Sequence, residues 1–144
     1  MIKNERQYRI TKAQAQKFKQ TLAHLEANPE ARPHMASRLK QAEQDALRSQ
    51  WESLQSEIND YEALLNGKQK SFRLNSFEEL PRTLIKARIA AGLSQRELAL
   101  RLGLKEQQIQ RYEATEYASA SMARVSAVIQ ALDIQVREEV FLNA

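Results

Sequence analysis

The sequence predicts an all-α protein, with a long helical hairpin or coiled-coil-like segment in its N-terminal half and a bundle of short helices in its C-terminal half. Three observations lead to this fold class. Apolar residues recur at helical spacing along most of the 144 residues, helix caps and glycine stops divide the second half into short segments, and an Asn66-Gly67 turn signal separates the halves. We therefore expect a helical dimerisation or partner-binding region at 1–68 and a second domain at 69–144.

The first predicted helix opens at Thr11, because Gln14 follows three residues later and the pair reads as a capping box. It ends near Ala27, where Asn28-Pro29 and then Arg32-Pro33 break the helical pattern. Its apolar stripe consists of Ala15, Phe18, Leu22 and Leu25.

The second predicted helix runs from about His34 to Leu65, a length of about 48 Å at 1.5 Å per residue. Its apolar residues alternate in steps of three and four, which is typical of a coiled-coil seam. A first helix half as long would leave part of that seam uncovered, so we expect a second copy of the chain to cover it. The alternative is an intramolecular hairpin that packs on the C-terminal half. The residues expected at the dimer contact are Trp51, Leu54, Ile58, Tyr61 and Leu65.

The C-terminal half contains four predicted helices and a tail. Pro81 is tolerated only in a first helical turn, which leaves two starts open for the first of these helices. The tail IQVREEVFL alternates apolar and polar residues as a strand does, with Glu138 as an interruption, so a short C-terminal strand is allowed. The helices are predicted from Ser76 or Leu80 to Ala91, from Ser94 to Gly103, from Lys105 to Glu113, and from Ser119 or Ala120 to Leu132. The residues of the last helix that are expected to point inward are Met122, Val125, Val128, Ile129 and Leu132.

Composition restricts the classes of function. The chain has no cysteine, which excludes disulfides and thiolate metal sites, and its two histidines, His24 and His34, read as surface residues. Since no Gly-rich phosphate loop, metal-ligand cluster or nucleophile–base pair is present, we expect neither an enzyme nor a cofactor. The absence of a signal peptide and of a membrane-length apolar run predicts a cytoplasmic protein that contacts no membrane.

Positive charge is concentrated in one stretch. Between Arg82 and Arg111 there are seven basic residues against Glu97 and Glu106, in a chain whose formal charge is +4. Such a local excess marks the place where a polyanion would bind.

The stretch SQRELALRLGLKEQQIQRYE resembles the helix-turn-helix of the Cro and phage-repressor family, also called the xenobiotic-response-element family. The likeness covers roughly Leu80 to Ile134. Ala99 stands where that family requires a small residue between two closely crossing helices, Gly103 stands in the turn, and Ile109 lies in the recognition helix. The resemblance implies a repressor-like bundle that binds double-stranded DNA in the nucleoid.

The resemblance also implies which side chains meet DNA. A glutamine amide matches adenine N6 and N7, and an arginine matches guanine O6 and N7, so we expect Gln107 and Arg111 to lead base recognition. Glu106 has a structural alternative at the helix dipole, and Gln110 is as well explained by solvation. The base contacts expected are Lys105, Glu106, Gln107, Gln108 and Arg111, and the phosphate contacts expected are Gln95, Arg96, Arg88, Thr115 and Tyr117.

Three functions compete, and the third, an enzyme, has no catalytic motif in the sequence to support it. The first is a sequence-specific transcriptional regulator, a repressor, that acts as a homodimer on a palindromic operator through the major groove. The alternative is the antitoxin of a type II toxin–antitoxin pair, which neutralises a toxin and represses its own operon. Co-purification of a toxin partner would favour the antitoxin.

Overall fold

A computed structural model describes residues 1–30 and 32–143, and the described part is all-helical, as predicted. It divides into two compact units, Met1–Ala63 and Leu64–Ala144. The α-helices are α1 (Glu5–Ala27), α2 (Ser37–Leu65), α3 (Leu80–Ala90), α4 (Gln95–Leu102), α5 (Glu106–Ala114) and α6 (Met122–Ala131), with a short 3₁₀ turn at Phe77–Glu79 before α3.

The N-terminal unit is an antiparallel hairpin of α1 and α2. The Tyr8 hydroxyl donates to Glu62 at 2.5 Å, so the start of α1 lies beside the end of α2. Arg48 pairs with Glu26 at 2.6 Å, which places the end of α1 beside the middle of α2. The Tyr8 and Tyr61 rings, 5.2 Å apart, close the same end of the hairpin.

The predicted start of α1 at Thr11 is wrong, because the helix begins six residues earlier at Glu5. Asn4 is the N-cap, and its side chain accepts the backbone N–H of Gln7 at 2.8 Å. With 23 residues against the 29 of α2, α1 is much more than half as long as its partner.

Because α1 is longer than predicted, it offers more surface to cover the predicted seam on α2. Ile58 and Tyr61 are buried at 2% and 6% exposure within the chain, whereas Trp51 and Leu54 are half-buried and Leu65 is exposed. The premise that α2 needs a second copy to cover its seam is therefore weakened, and the dimer contact stays a prediction.

The C-terminal unit packs short helices around a core of Leu84, Ile85, Leu98, Ile109 and Val128. Arg101 of α4 donates to the carbonyl of Ala131 at 2.8 Å, which ties α4 to the end of α6. Ser121 caps α6 by accepting the backbone N–H of Arg124. Because α6 starts after that cap, Met122 lies in its first turn and is exposed, and the prediction that it points inward is wrong.

The C-terminal strand that the alternation allowed does not form, since residues 134–143 are neither helix nor strand. Glu138 and Glu139 interrupt the apolar pattern, and no strand is present anywhere in 1–30 and 32–143 for the tail to pair with. Val140, Phe141 and Leu142 are consequently exposed.

No helix in the described part of the chain is long and apolar enough to cross a bilayer.

Candidate nucleic-acid interface

Helices α4 and α5 are joined by a short turn whose geometry follows from local sequence. Ser94 and Glu97 form the capping box that starts α4, with the Ser94 backbone N–H donating to the Glu97 carboxylate at 2.7 Å. Gly103 ends α4 at φ = 67°, a conformation that costs glycine little. The Leu104 N–H then donates back to the Ala99 carbonyl at 2.9 Å, which closes the turn.

Helix α5 has two faces of opposite character. Ile109 and Glu113 are fully buried, and Tyr112 is half-buried beside them. The other face is polar and open to solvent, and it consists of Glu106, Gln107, Gln108, Gln110 and Arg111.

The amides on the open face are not equivalent. Gln108 accepts the backbone N–H of Lys105 at 2.9 Å, which is the half of a capping box that the N3 residue supplies, while the Lys105 side chain has no acceptor to supply the other half. Gln110 makes a long 3.5 Å contact to Glu106. In the region that the structure describes, no intramolecular hydrogen bond engages the side chains of Gln107 or Arg111. These two residues are one helical turn apart on the same face.

Three of the residues predicted to contact phosphates lie inside the unit. Arg88 is 2% exposed, Gln95 4% and Tyr117 4%. Burial raises the pKa of the Tyr117 phenol above its ordinary value, and the nearby charge of Glu113 raises it further. The structure favours a packing role for all three. Arg96 and Thr115 are exposed, which keeps them accessible to a phosphate.

A buried polar network connects three helices. Arg88 of α3 donates to both carboxylate oxygens of Glu113 in α5, from Nε at 2.5 Å and from Nη2 at 2.8 Å. Gln95 of α4 donates to the same carboxylate at 2.9 Å, and Arg88 Nη1 donates to the Leu93 carbonyl at 2.7 Å. Because a bidentate pair fixes orientation as well as distance, this network sets the position of α5 against α3 and α4.

A comparison with family models adds an independent finding. Residues 84–138 match the helix-turn-helix family HTH_3. This family comprises DNA-binding domains of regulators, and the match confirms the resemblance that the C-terminal half shows. No match was found among curated proteins, and none among solved structures.

The helix-turn-helix match spans the segment from within α3 to the tail and leaves residues 1–83 outside it. It supports DNA binding as the activity of the C-terminal unit. The side chains expected to touch bases or phosphates stay predictions.

Glu113 is the residue that sequence reasoning missed. Its position four residues after Ile109 places it on the buried stripe, where an acidic residue is unusual. The signal was available, because Arg88 is likewise a charged residue among the apolar Leu84, Ile85 and Ile89 of its own helix. Two opposite charges on two buried stripes indicate an internal ion pair.

The charge of the helix-turn-helix surface is lower than the sequence count suggests. Arg88 is neutralised by Glu113, and Arg82 pairs with Glu116 at 2.8 Å. Both glutamates lie just beyond the basic stretch 82–111. The exposed cations that remain near α4 and α5 are Arg96, Arg101, Lys105 and Arg111.

Proposed function

We propose that the protein is a sequence-specific transcriptional repressor that binds a palindromic operator as a homodimer, with α5 in the major groove. The observation that carries the proposal is that α5 has one buried face and one polar, exposed face. Its inner face is fixed by Ile109 and the buried Glu113, while Gln107 and Arg111 stand on the outer face of a helix in a unit that matches a DNA-binding family. Side chains held in this way are ready to meet base edges without breaking internal hydrogen bonds.

The proposed contacts fall into two classes. Gln107 and Arg111 read bases, with Lys105, Glu106 and the remaining amide nitrogen of Gln108 beside them. Arg96 and Thr115, exposed at the start of α4 and after the end of α5, contact phosphates. Arg88, Gln95 and Tyr117 support the helices from within and make no contact with DNA.

Variants of the two classes test this assignment. A preferred site is first selected from a random duplex library with the unmodified protein. Gln107→Ala or Arg111→Ala should then weaken binding to that site by about 1–3 kcal/mol and relax discrimination at one base pair. Arg96→Ala should weaken binding to all duplexes alike and reduce the slope of log affinity against log salt by about one unit.

The matched control is Gln130→Ala, which removes an exposed amide from a different helix, α6. It should leave both the affinity and the specificity unchanged. If Gln107→Ala and Arg111→Ala behave like this control, the open face of α5 is not the reading face.

The homodimer is proposed through the N-terminal unit. Between α1 and α2 lies an open, mainly apolar groove of about 540 Å³, lined by Phe18, Leu47 and Leu54 among others. A homodimer of this kind would require an operator with two half-sites about 34 Å apart, or a multiple of that. Sedimentation should show a dimer for the full chain and a monomer for Leu54→Asp, whereas Leu39→Asp, at an exposed leucine of the same helix, should remain dimeric. A monomeric unmodified chain would contradict the proposal.

The same groove favours a second candidate function, that of an antitoxin. In that case the N-terminal unit, which lies outside the family match, binds a toxin, and the C-terminal unit represses the shared operon. Co-expression of the chain with the products of its neighbouring genes distinguishes the two functions. A stable complex that Leu54→Asp disrupts and Leu39→Asp preserves would support the antitoxin.

A further inference from the structure

The segment between α2 and the 3₁₀ turn carries a second group of cations. Its sequence, GKQKSFRLN at residues 67–75, contains Lys68, Lys70 and Arg73, and all three are exposed. No acidic residue occurs between Glu62 and Glu78. We call residues 68–73 the basic segment, and it lies outside the helix-turn-helix match that begins at residue 84.

Unlike Arg82 and Arg88, the cations of the basic segment form no ion pair with another described residue. No ion pair within residues 1–30 and 32–143 includes Lys68, Lys70 or Arg73, whereas Arg82 and Arg88 each bind a glutamate. Their charge is therefore available to an anion outside the chain, and binding such an anion would break no ion pair of the described residues.

The basic segment has local order and belongs to the C-terminal unit. Lys68 donates its backbone N–H to the Asn66 side chain at 2.9 Å, which fixes the turn after α2. Phe72 and Leu74 are half-buried and flank Arg73, which stays exposed. The segment belongs to the same compact unit as α4 and α5. Local order of this kind reduces the entropy lost when the cations bind a ligand.

The three cations lie close together along the chain. Residues 67–74 are neither helix nor strand, and an extended chain advances about 3.3–3.6 Å per residue. At that rise, which is an upper limit, Lys68 and Lys70 lie at most about 7 Å apart, and Lys70 and Arg73 at most about 11 Å apart. Double-stranded DNA carries one negative charge per about 1.7 Å of helix axis, so all three cations can act on one short stretch of its backbone.

We propose that the basic segment is a second DNA-binding element, which contacts the phosphates of the duplex beside the site read by α5. The inference rests on the proposed DNA-binding function and extends it beyond the matched family segment. Because Lys68, Lys70 and Arg73 provide charge without reading base edges, the segment contributes affinity for any sequence and no discrimination.

The test uses the full chain and a random-sequence duplex of about 30 base pairs, so no knowledge of the operator is needed. In the triple variant Lys68→Gln, Lys70→Gln, Arg73→Gln, the slope of log affinity against log salt should fall by about 0.9 for each phosphate that the variant no longer binds, up to about 2.7 for all three. The variant that exchanges lysine and arginine at the three positions keeps the charge and should restore the slope. The ratio of affinities for a selected site and for the random duplex should stay within about twofold of the unmodified chain.

A charge-matched control separates local binding from net charge. Arg6, Lys19 and Arg38 are exposed cations of the N-terminal unit that take part in no ion pair in the described residues. Changing these three to glutamine removes the same charge and should leave the slope unchanged. An equal fall in both triple variants, or an unchanged slope in the first, overturns the inference while the proposed function stands. If the unmodified chain shows no salt-dependent binding to either duplex, the proposed function fails and the inference fails with it.

Discussion

The buried ion pair between Arg88 and Glu113 gives the sharpest prediction about stability. Replacing Arg88 by methionine removes the guanidinium and keeps much of the volume of its side chain. The carboxylate of Glu113, fully buried, then keeps its 2.9 Å hydrogen bond from Gln95 but loses both bonds from Arg88. A buried charge without its partner is strongly unfavourable, because neither water nor an opposite charge compensates for it.

The expected loss is about 3–5 kcal/mol, the range measured when one partner of a buried ion pair is removed. The whole free energy of unfolding of a small domain is about 5–15 kcal/mol. With a urea dependence of about 1.5 kcal/mol per molar, a loss of about 4 kcal/mol lowers the unfolding midpoint by about 2.7 M. Urea titrations followed by far-ultraviolet circular dichroism measure this shift.

The protein contains its own control in a second arginine–glutamate pair. Arg82 and Glu116 are 2.8 Å apart, but their side chains are 57% and 40% exposed. Arg82→Met should therefore cost no more than about 1 kcal/mol. The double variant Arg88→Met, Glu113→Leu removes both buried charges and should be more stable than Arg88→Met alone. Equal effects of Arg88→Met and Arg82→Met would refute the argument from burial.

Two further predictions concern pH. Hydrogen bonds from the Ser94 backbone and side chain lower the pKa of Glu97. The ionised Glu97 therefore stabilises the fold at neutral pH, and this contribution disappears as the pH falls through the lowered pKa. The melting temperatures of Glu97→Gln and of the unmodified chain should converge between about pH 7 and pH 3. Burial raises the pKa of Tyr117 in the folded chain. Above about pH 10 the phenol ionises in the unfolded chain before it does so in the folded one, which lowers the free energy of unfolding. Between about pH 9 and pH 11, Tyr117→Phe should therefore lose less stability than the unmodified chain.

The parts of the fold that depend on local chemistry were predictable. The capping box at Ser94, the glycine stop at Gly103 and the first-turn Pro81 each act through the backbone within a few residues, and the structure contains all three. The polar side of α5 followed from periodicity, since Ile109 fixes the inward direction.

The parts that depend on distant partners were not predictable in the same way. The start of α1 is a separate case, because its signal is local: Asn4 caps the helix through Gln7, three residues later, and the similar pair Thr11 and Gln14 was preferred to it. Arg88 and Gln95 are polar, and only the three-dimensional fold brings them to Glu113, 25 and 18 residues away in sequence. The tail alternates like a strand, but a strand also needs a neighbour, and residues 134–143 have none among the described residues.

The two faces of α5 also bear on how such a protein can acquire a new target. Ile109 and Glu113 hold the helix from behind, through contacts that involve neither Gln107 nor Arg111. Substitutions at 107 and 111 therefore leave the anchoring untouched and cost little stability, since both positions are exposed. Under the proposed role of α5, new operator preferences are thus accessible by substituting a few outward side chains, whereas a change at Glu113 would have to be matched at once by changes in two other helices.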